Sequence, residues 1–171
     1  MELRLAEEKD LPELKAMYDK IIEKLDEQKI QLYWTDHYPY GMFANDIKNQ
    51  NLYVLLKDST IVAAFGLFDY FEIESRFEWS EKSSKVFYIG RLGINVDFQR
   101  QGIGSEAVKQ AENLAKSKGA NFLRIFVVDG NTPAMKLYEK NNYSKVVGIS
   151  REYLEFNDAT LTEFAYEKEL V

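Results

Sequence analysis

Residues Val86 to Gly119 read VFYIGRLGINVDFQRQGIGSEAVKQAENLAKSKG, and the fold is decided there. The β-branched and aromatic run from Val86 to Val96 predicts a strand, because such side chains suit a pleated, half-buried surface. A polar stretch, Asp97-Phe98-Gln99-Arg100-Gln101, breaks it. Gly102-Ile103-Gly104-Ser105 then opens a helix in which Ile103, Ala107, Val108, Ala111, Leu114 and Ala115 share one face, with Gly119 placed to end it. A strand, a glycine-bearing turn and a helix N-terminus, in that order, form an anion site. The first helical N–H groups lack internal partners, and the helix dipole favours negative charge beside them. A pyrophosphate is the expected guest.

Two kinds of protein use such a turn. Gly102 to Ala107 satisfies G-x-G-x-x-A, the dinucleotide fingerprint, and Asp129 stands near the distance expected of a ribose-binding acid. In that fingerprint the strand runs almost directly into the first glycine, whereas five loop-like residues intervene here. The longer pattern Gln99-x-x-Gly102-x-Gly104, after a strand ending Leu92-Gly93-Ile94, resembles the acetyl-CoA-binding motif of the GNAT superfamily of N-acyltransferases.

A second motif favours the GNAT reading. Phe122 to Val128 is a nearly continuous apolar run, as in a strand covered on both faces. Asn131 to Tyr143 follows, NTPAMKLYEKNNY, with Thr132 as predicted N-cap and Pro133 as first helical residue. Its pattern N-x-x-A-x-x-L-Y-x-x-x-x-Y is similar to the second CoA-binding motif of GNAT enzymes. Taken alone it would equally describe a capped amphipathic helix whose Tyr138 is core. Two motifs in the right order, with a helix and strand of suitable length between them, are hard to obtain by accident.

The rest of the chain is consistent with one domain, residues 1–171. Its 171 residues carry 46% hydrophobic and 29% charged side chains, a globular composition. There is no Cys, which excludes disulfides, thiolate metal sites and a cysteine-bound acyl intermediate and fits a reducing cytoplasm. Met1-Glu2-Leu3-Arg4 begins no signal core, and no apolar run approaches the ~20 residues of a membrane span. A net charge of −6 argues against sequence-independent nucleic-acid binding. Leu3 and Leu5 suggest a first strand, and Asp10-Leu11-Pro12-Glu13 a helix start with Asp10 as N-cap. A short helix is expected over Met42 to Lys48. Leu52 to Leu56 and Ile61 to Phe71 read as strands around a tight turn, and Lys145 to Ile149 and Thr162 to Lys168 as two more. The charged segment Glu72 to Lys85 reads as a hairpin end or a mobile loop.

The resemblance implies an α/β GNAT fold, a mixed central sheet of about six to seven strands flanked by about four helices. It implies an N-acetyltransferase that moves an acetyl group from acetyl-CoA to a primary amine, on a small molecule or peptide, by direct attack in a ternary complex without a metal. Backbone groups from Gln99, Arg100, Gln101, Gly102, Ile103 and Gly104, with Ser105, would take the pyrophosphate. The strand end at Ile94 and Val96 would hydrogen-bond the pantetheine arm, and Asn131 would contact that arm or order its own turn. Tyr138 would donate the proton to the departing sulfur, since a phenol of pKa about 10 is protonated at neutral pH. The position matched to the family's strand carboxylate holds Tyr88, which puts a direct carboxylate base in doubt. Candidate acceptor residues are Trp34, His37 (the lone histidine), Tyr38, Glu72 and Tyr88; the aromatics read equally as core or as a homodimer contact. Two other readings stay open at this stage: a CoA-binding sensor or docking module without turnover, and a nucleotide-binding oxidoreductase.

Overall fold

The computed structural model describes residues 1–35, 37–82 and 84–170. Among them are eight strands and four α-helices, in the order β1 (Glu2–Leu5), α1 (Leu11–Glu27), α2 (Phe43–Lys48), β2 (Leu52–Lys57), β3 (Thr60–Phe68), β4 (Phe77–Glu78), β5 (Val86–Ile94), α3 (Ile103–Ser117), β6 (Phe122–Val128), α4 (Thr132–Lys140), β7 (Ser144–Leu154) and β8 (Ala159–Glu169). The fold is mixed α/β, with one strand more than the expected range because the two-residue β4 is counted. The chain divides into two compact units. The first holds Met1–Leu67 and Ile89–Ala111, the second Phe68–Tyr88 and Glu112 onward.

In the first unit the strand order is β1-β2-β3-β5. β1 and β3 each pair antiparallel with β2, Glu2 opposite Leu56 and Leu52 opposite Gly66. The β2–β3 link is a two-residue turn in which Asp58 and Ser59 both take positive φ, 49° and 65°. That conformation matches the strand twist. Alternation along these strands sends side chains to two faces, interrupted once where the register shifts between Leu55 and Leu56 and lets Val62 and Ala63 share a face. Leu52, Val54, Ile61 and Ala64 meet Leu14, Tyr18 and Ile21 of α1 and Phe43 of α2, while Leu55, Val62 and Ala63 meet Ile103 and Ala107 of α3. Burying each large aliphatic side chain contributes about 1.5–3 kcal/mol.

In the second unit the order is β6-β8-β7-β4, with antiparallel pairing throughout. Phe77, Trp79, Val146 and Ala165 form its core with Ile73 and Phe126 packed against them. β7 and β8 run longer than expected. Their added residues near the hairpin end mix polar Ser150, Arg151, Glu152 and Thr160 with apolar ones, so no apolar period marks them.

Four local expectations are corrected. β5 stops at Ile94, and Val96–Phe98 form a 3₁₀ turn, because the Asn95 side chain accepts from Asp97 N (3.1 Å) while its amide donates to Ile61 O (2.9 Å). β3 stops at Phe68, and Glu72–Arg76 is another 3₁₀ turn rather than a hairpin end. The cap of α4 is Asn131, not Thr132; its side-chain oxygen accepts from Ala134 N at 3.3 Å. Asp10 precedes α1 but makes no side-chain cap to it. It accepts two bonds from Arg4, 2.7 and 2.8 Å, and one from Glu7 N at 2.8 Å. The Arg4 bonds hold its carboxyl below the usual carboxylate range, against the effect of burial.

Candidate functional site

The turn of the first unit is built in three steps. β5 ends with Asn95 N donating to Val62 O at 2.9 Å, which ties the strand end to β3. The 3₁₀ turn then leads to exposed Gln99 and Arg100, and the backbone turns left-handed at Arg100 (φ 60°) and Gly102 (φ 80°). A Cβ on Gly102 would meet nothing within 4 Å, so glycine supplies the dihedral and not clearance. Ile103 is buried and anchors α3. The N–H groups of Gln101, Gly102, Ile103 and Gly104 find no acceptor among the described residues, whereas Glu106 N is satisfied by Gly102 O at 3.0 Å. Half-buried Ser105 follows. Lys57 stands over Phe98 (5.9 Å to the ring centre) and reaches Gln101 Oε1 at 3.4 Å. Consecutive free donors, a helix dipole and nearby Lys57 and Arg100 can hold a diphosphate.

In the second unit Asn131 closes the start of α4, and Tyr138 lies within that helix, 5% exposed. Its ring packs edge-on to Tyr143 (5.9 Å) and tilted against Tyr166 (6.3 Å). Its hydroxyl has no hydrogen-bond partner among the described residues. Burial pushes the phenol above its ordinary pKa, so Tyr138 holds its proton throughout the neutral range.

Tyr88 is fully buried among Phe71, Trp79 and Phe126. Its hydroxyl donates to Glu74 Oε2 and accepts from Arg124 Nη1 at 3.4 Å. Burial first, and then the Glu74 bond, push the phenol up to about 12. Arg124 is itself buried, 4.1 Å over the Trp79 ring and 3.5 Å from Glu167. Tyr88 is thus a member of an interior polar network, and Glu72 is exposed. Of the other acceptor candidates, Trp34 is half-buried against Tyr18 at 5.6 Å, and His37 is exposed with its N–H on Thr35 Oγ1 at 3.1 Å. Tyr38 is 42% exposed, with the Arg91 guanidinium 5.6 Å from its ring centre. Asp36, inside the Trp34–Pro39 stretch, lies outside the described residues.

Residues 14–143 match the family model described as the acetyltransferase (GNAT) family. The chain belongs to the GNAT acetyltransferase family. Among relatives of this GNAT chain, the thialysine N-epsilon-acetyltransferase of Bos taurus is 33% identical over 63 residues, 37% of either chain. The chain therefore spans little more than a third of that relative. An N-alpha-acetyltransferase of Saccharolobus solfataricus is 24% identical over 136 residues, 74% of this chain and 77% of its own. Among solved structures, a GNAT-family acetyltransferase of Streptococcus agalactiae superposes with a TM-score of 0.81 at 17% identity, covering 98% of this chain and 94% of that one. The likeness is one of fold.

Sequence reasoning missed several members of this GNAT chain's polar interior, among them Arg124, inside an otherwise apolar run, its partner Glu167, and the pair Asp46 and Arg91. A charged residue inside an otherwise apolar strand segment was the available signal for Arg124 and Arg91. No helix among the described residues is long and apolar enough to cross a membrane, and no group of three or more His, Cys, Asp or Glu among them could hold a metal.

Proposed function

We propose that this chain, as a single domain over residues 1–171, transfers an acetyl group from acetyl-CoA to a primary amine by direct attack within a ternary complex. The observation that carries the reading is the run of free N–H groups from Gln101 to Gly104 at the start of α3, in a member of an acetyltransferase family. The residues present fit the cosubstrate. A left-handed turn exposes successive donors, with open space at Gly102 where a side chain would otherwise stand.

Bound acetyl-CoA supplies an activated thioester, and its transfer leaves a thiolate that takes up a proton. Gln99 to Gly104, with Ser105, hold the diphosphate through backbone groups, and Arg100 adds a cation at the rim. Backbone groups near Ile94 and Val96 orient the pantetheine arm. Asn131 acts by ordering the start of α4. Tyr138 holds the proton for the departing sulfur, and burial keeps the phenol protonated through the neutral range. Direct attack is supported by the absence of Cys, which leaves no thiol to carry the acetyl group. For the acceptor, exposed His37, Tyr38 and Glu72 remain the candidates, while Trp34 and Tyr88 act from the interior by shaping what surrounds them.

A thermal-shift titration with acetyl-CoA, CoA and NADH tests this, run on the native chain and on Gly104→Glu. A ligand selective for the folded state stabilises it by about 2.7 kcal/mol at 100 times its dissociation constant. Acetyl-CoA and CoA should raise the midpoint of the native chain, NADH should not, and Gly104→Glu should lose the response. A shift with NADH alone, or none with any of the three, overturns the reading.

A further inference from the structure

The middle of β5 carries a conformation that its sequence does not favour. Arg91 has φ 57°, the left-handed region, inside a strand. An L residue with a long side chain is strained there, and such strain persists only where the surroundings over-determine it. Three groups converge on this one residue. The Tyr18 hydroxyl, from α1, donates to the Arg91 carbonyl oxygen. Asp46, from α2, places Oδ2 3.0 Å from Arg91 Nη1, with both side chains largely buried, 4% and 11% exposed. The Tyr38 ring stands 5.6 Å from the guanidinium.

Gly93 completes the arrangement. A Cβ there would lie 2.6 Å from Tyr18 Cζ and 2.7 Å from its hydroxyl oxygen, so only glycine lets Tyr18 reach the kink. The next residues are Ile94, whose strand end was assigned above to the pantetheine arm, and Asn95, fixed to Ile61 and Val62.

A buried ion pair is a poor way to gain stability, because apolar residues of the same size usually do as well. Burial also pushes the Asp46 carboxyl up, against the pull of Arg91, so the pair is held at an electrostatic cost. Convergence of a hydroxyl, a carboxylate and an aromatic ring on one strained residue makes sense if its backbone shape is what matters.

We propose that Tyr18, Asp46 and Arg91 are positioning residues, a clamp that holds the left-handed kink at Arg91 and so sets the strand end at Ile94 and the turn that follows through Val96 in the shape that binds an acyl-CoA. The proposal rests on the acetyltransferase reading and adds to it how the donor strand is shaped before any ligand arrives.

The decisive comparison is Arg91→Ala against Arg91→Gly. Both remove the clamp's side chain, but only glycine takes positive φ without strain. Calorimetry with acetyl-CoA and hydrogen exchange of the Arg91–Asn95 amides are measured on the full chain. Arg91→Ala should weaken acetyl-CoA about tenfold and speed exchange, and Arg91→Gly should weaken it no more than about threefold. A merely structural role would move stability alone and leave acetyl-CoA affinity, corrected for the fraction folded, at the wild-type value in both variants. Equal losses for both, or wild-type behaviour in both, would overturn the clamp. Should Arg91→Ala fail to fold, Tyr18→Phe carries the test: it removes one hydroxyl, and unchanged exchange at Arg91–Asn95 would count against the proposal. If the wild-type chain itself binds no acetyl-CoA, the functional reading fails, and the exchange order of the Ala and Gly variants still decides the clamp.

Discussion

Helices α3 and α4 begin in opposite ways. α3 opens on a left-handed turn in which the N–H groups from Gln101 to Gly104 find no acceptor among the described residues. α4 opens on Asn131, whose side chain takes one of those N–H groups, and carries Pro133 in its first turn, which has none to satisfy. An isolated helix gains from the second arrangement, typically about 1 kcal/mol for the cap. The open start of α3 forgoes that gain and leaves donors available for an anion. A closed end is a device of folding and an open one is a device of binding. The chemistry assigned to α4 accordingly comes from its interior, at Tyr138, and the chemistry assigned to α3 comes from its end.

The largest effect that would test this contrast is at Tyr138. Tyr138→Phe keeps the ring that packs on Tyr143 and Tyr166 and removes only a hydroxyl without a partner among the described residues. Thermal stability and acetyl-CoA affinity should stay near wild type, while kcat falls by about 10²–10⁴, the range for loss of a proton donor. A kcat within a few-fold of wild type, read in an acetyl-transfer assay with a panel of primary amines, would return Tyr138 to the core.

A smaller effect belongs to the open end. Gly102 needs φ 80° and has open space around it, so the two explanations for a glycine separate cleanly. If the dihedral matters, acetyl-CoA affinity should fall in the order Gly, Asn, Val, since Asn visits the left-handed region and a β-branched residue does not. Gly102→Val should weaken binding about tenfold, in line with a strain of about 1–2 kcal/mol. An Asn variant as weak as Val would show that free space, not backbone shape, is what the ligand requires.

Much of this was legible in the sequence because it is local. The turn at Gly102, the apolar face of α3, the buried run of β6 and the amphipathic α4 each repeat over a few residues, and each stands where the pattern puts it. What escaped is what joins distant residues. Asp10 satisfied every local rule for a helix cap and instead binds Arg4, six residues back, because a guanidinium offers it two charge-assisted bonds. Glu74 lies in the charged segment that reads as a hairpin end or a mobile loop, and it accepts from Tyr88. The kink at Arg91 is maintained by Tyr18, 73 residues away, and by Asp46 on another helix. No periodicity in a single chain encodes a carbonyl oxygen waiting for a hydroxyl at that distance. The turn was legible where backbone conformation makes it, at Gly102, and the side chains that converge from separate elements were not.

The smallest effect sharpens the contrast from the closed side. Asn131→Ala removes the oxygen that holds Ala134 N and leaves α4 with an open start like that of α3. Stability should drop by about 1 kcal/mol, measured by urea unfolding with an unchanged slope. Acetyl-CoA affinity, corrected for the fraction folded, should be unaltered, because the cap closes on its own helix and not on a ligand. Asn131→Asp should restore most of the stability, as Asp caps equally well. If instead Asn131→Ala weakens acetyl-CoA at full folding, and Asp restores stability without restoring binding, then the amide of Asn131 touches the pantetheine arm. The start of α4 would then be a binding element as well as a folding one, and the division drawn between the two helices would lie elsewhere than at their ends.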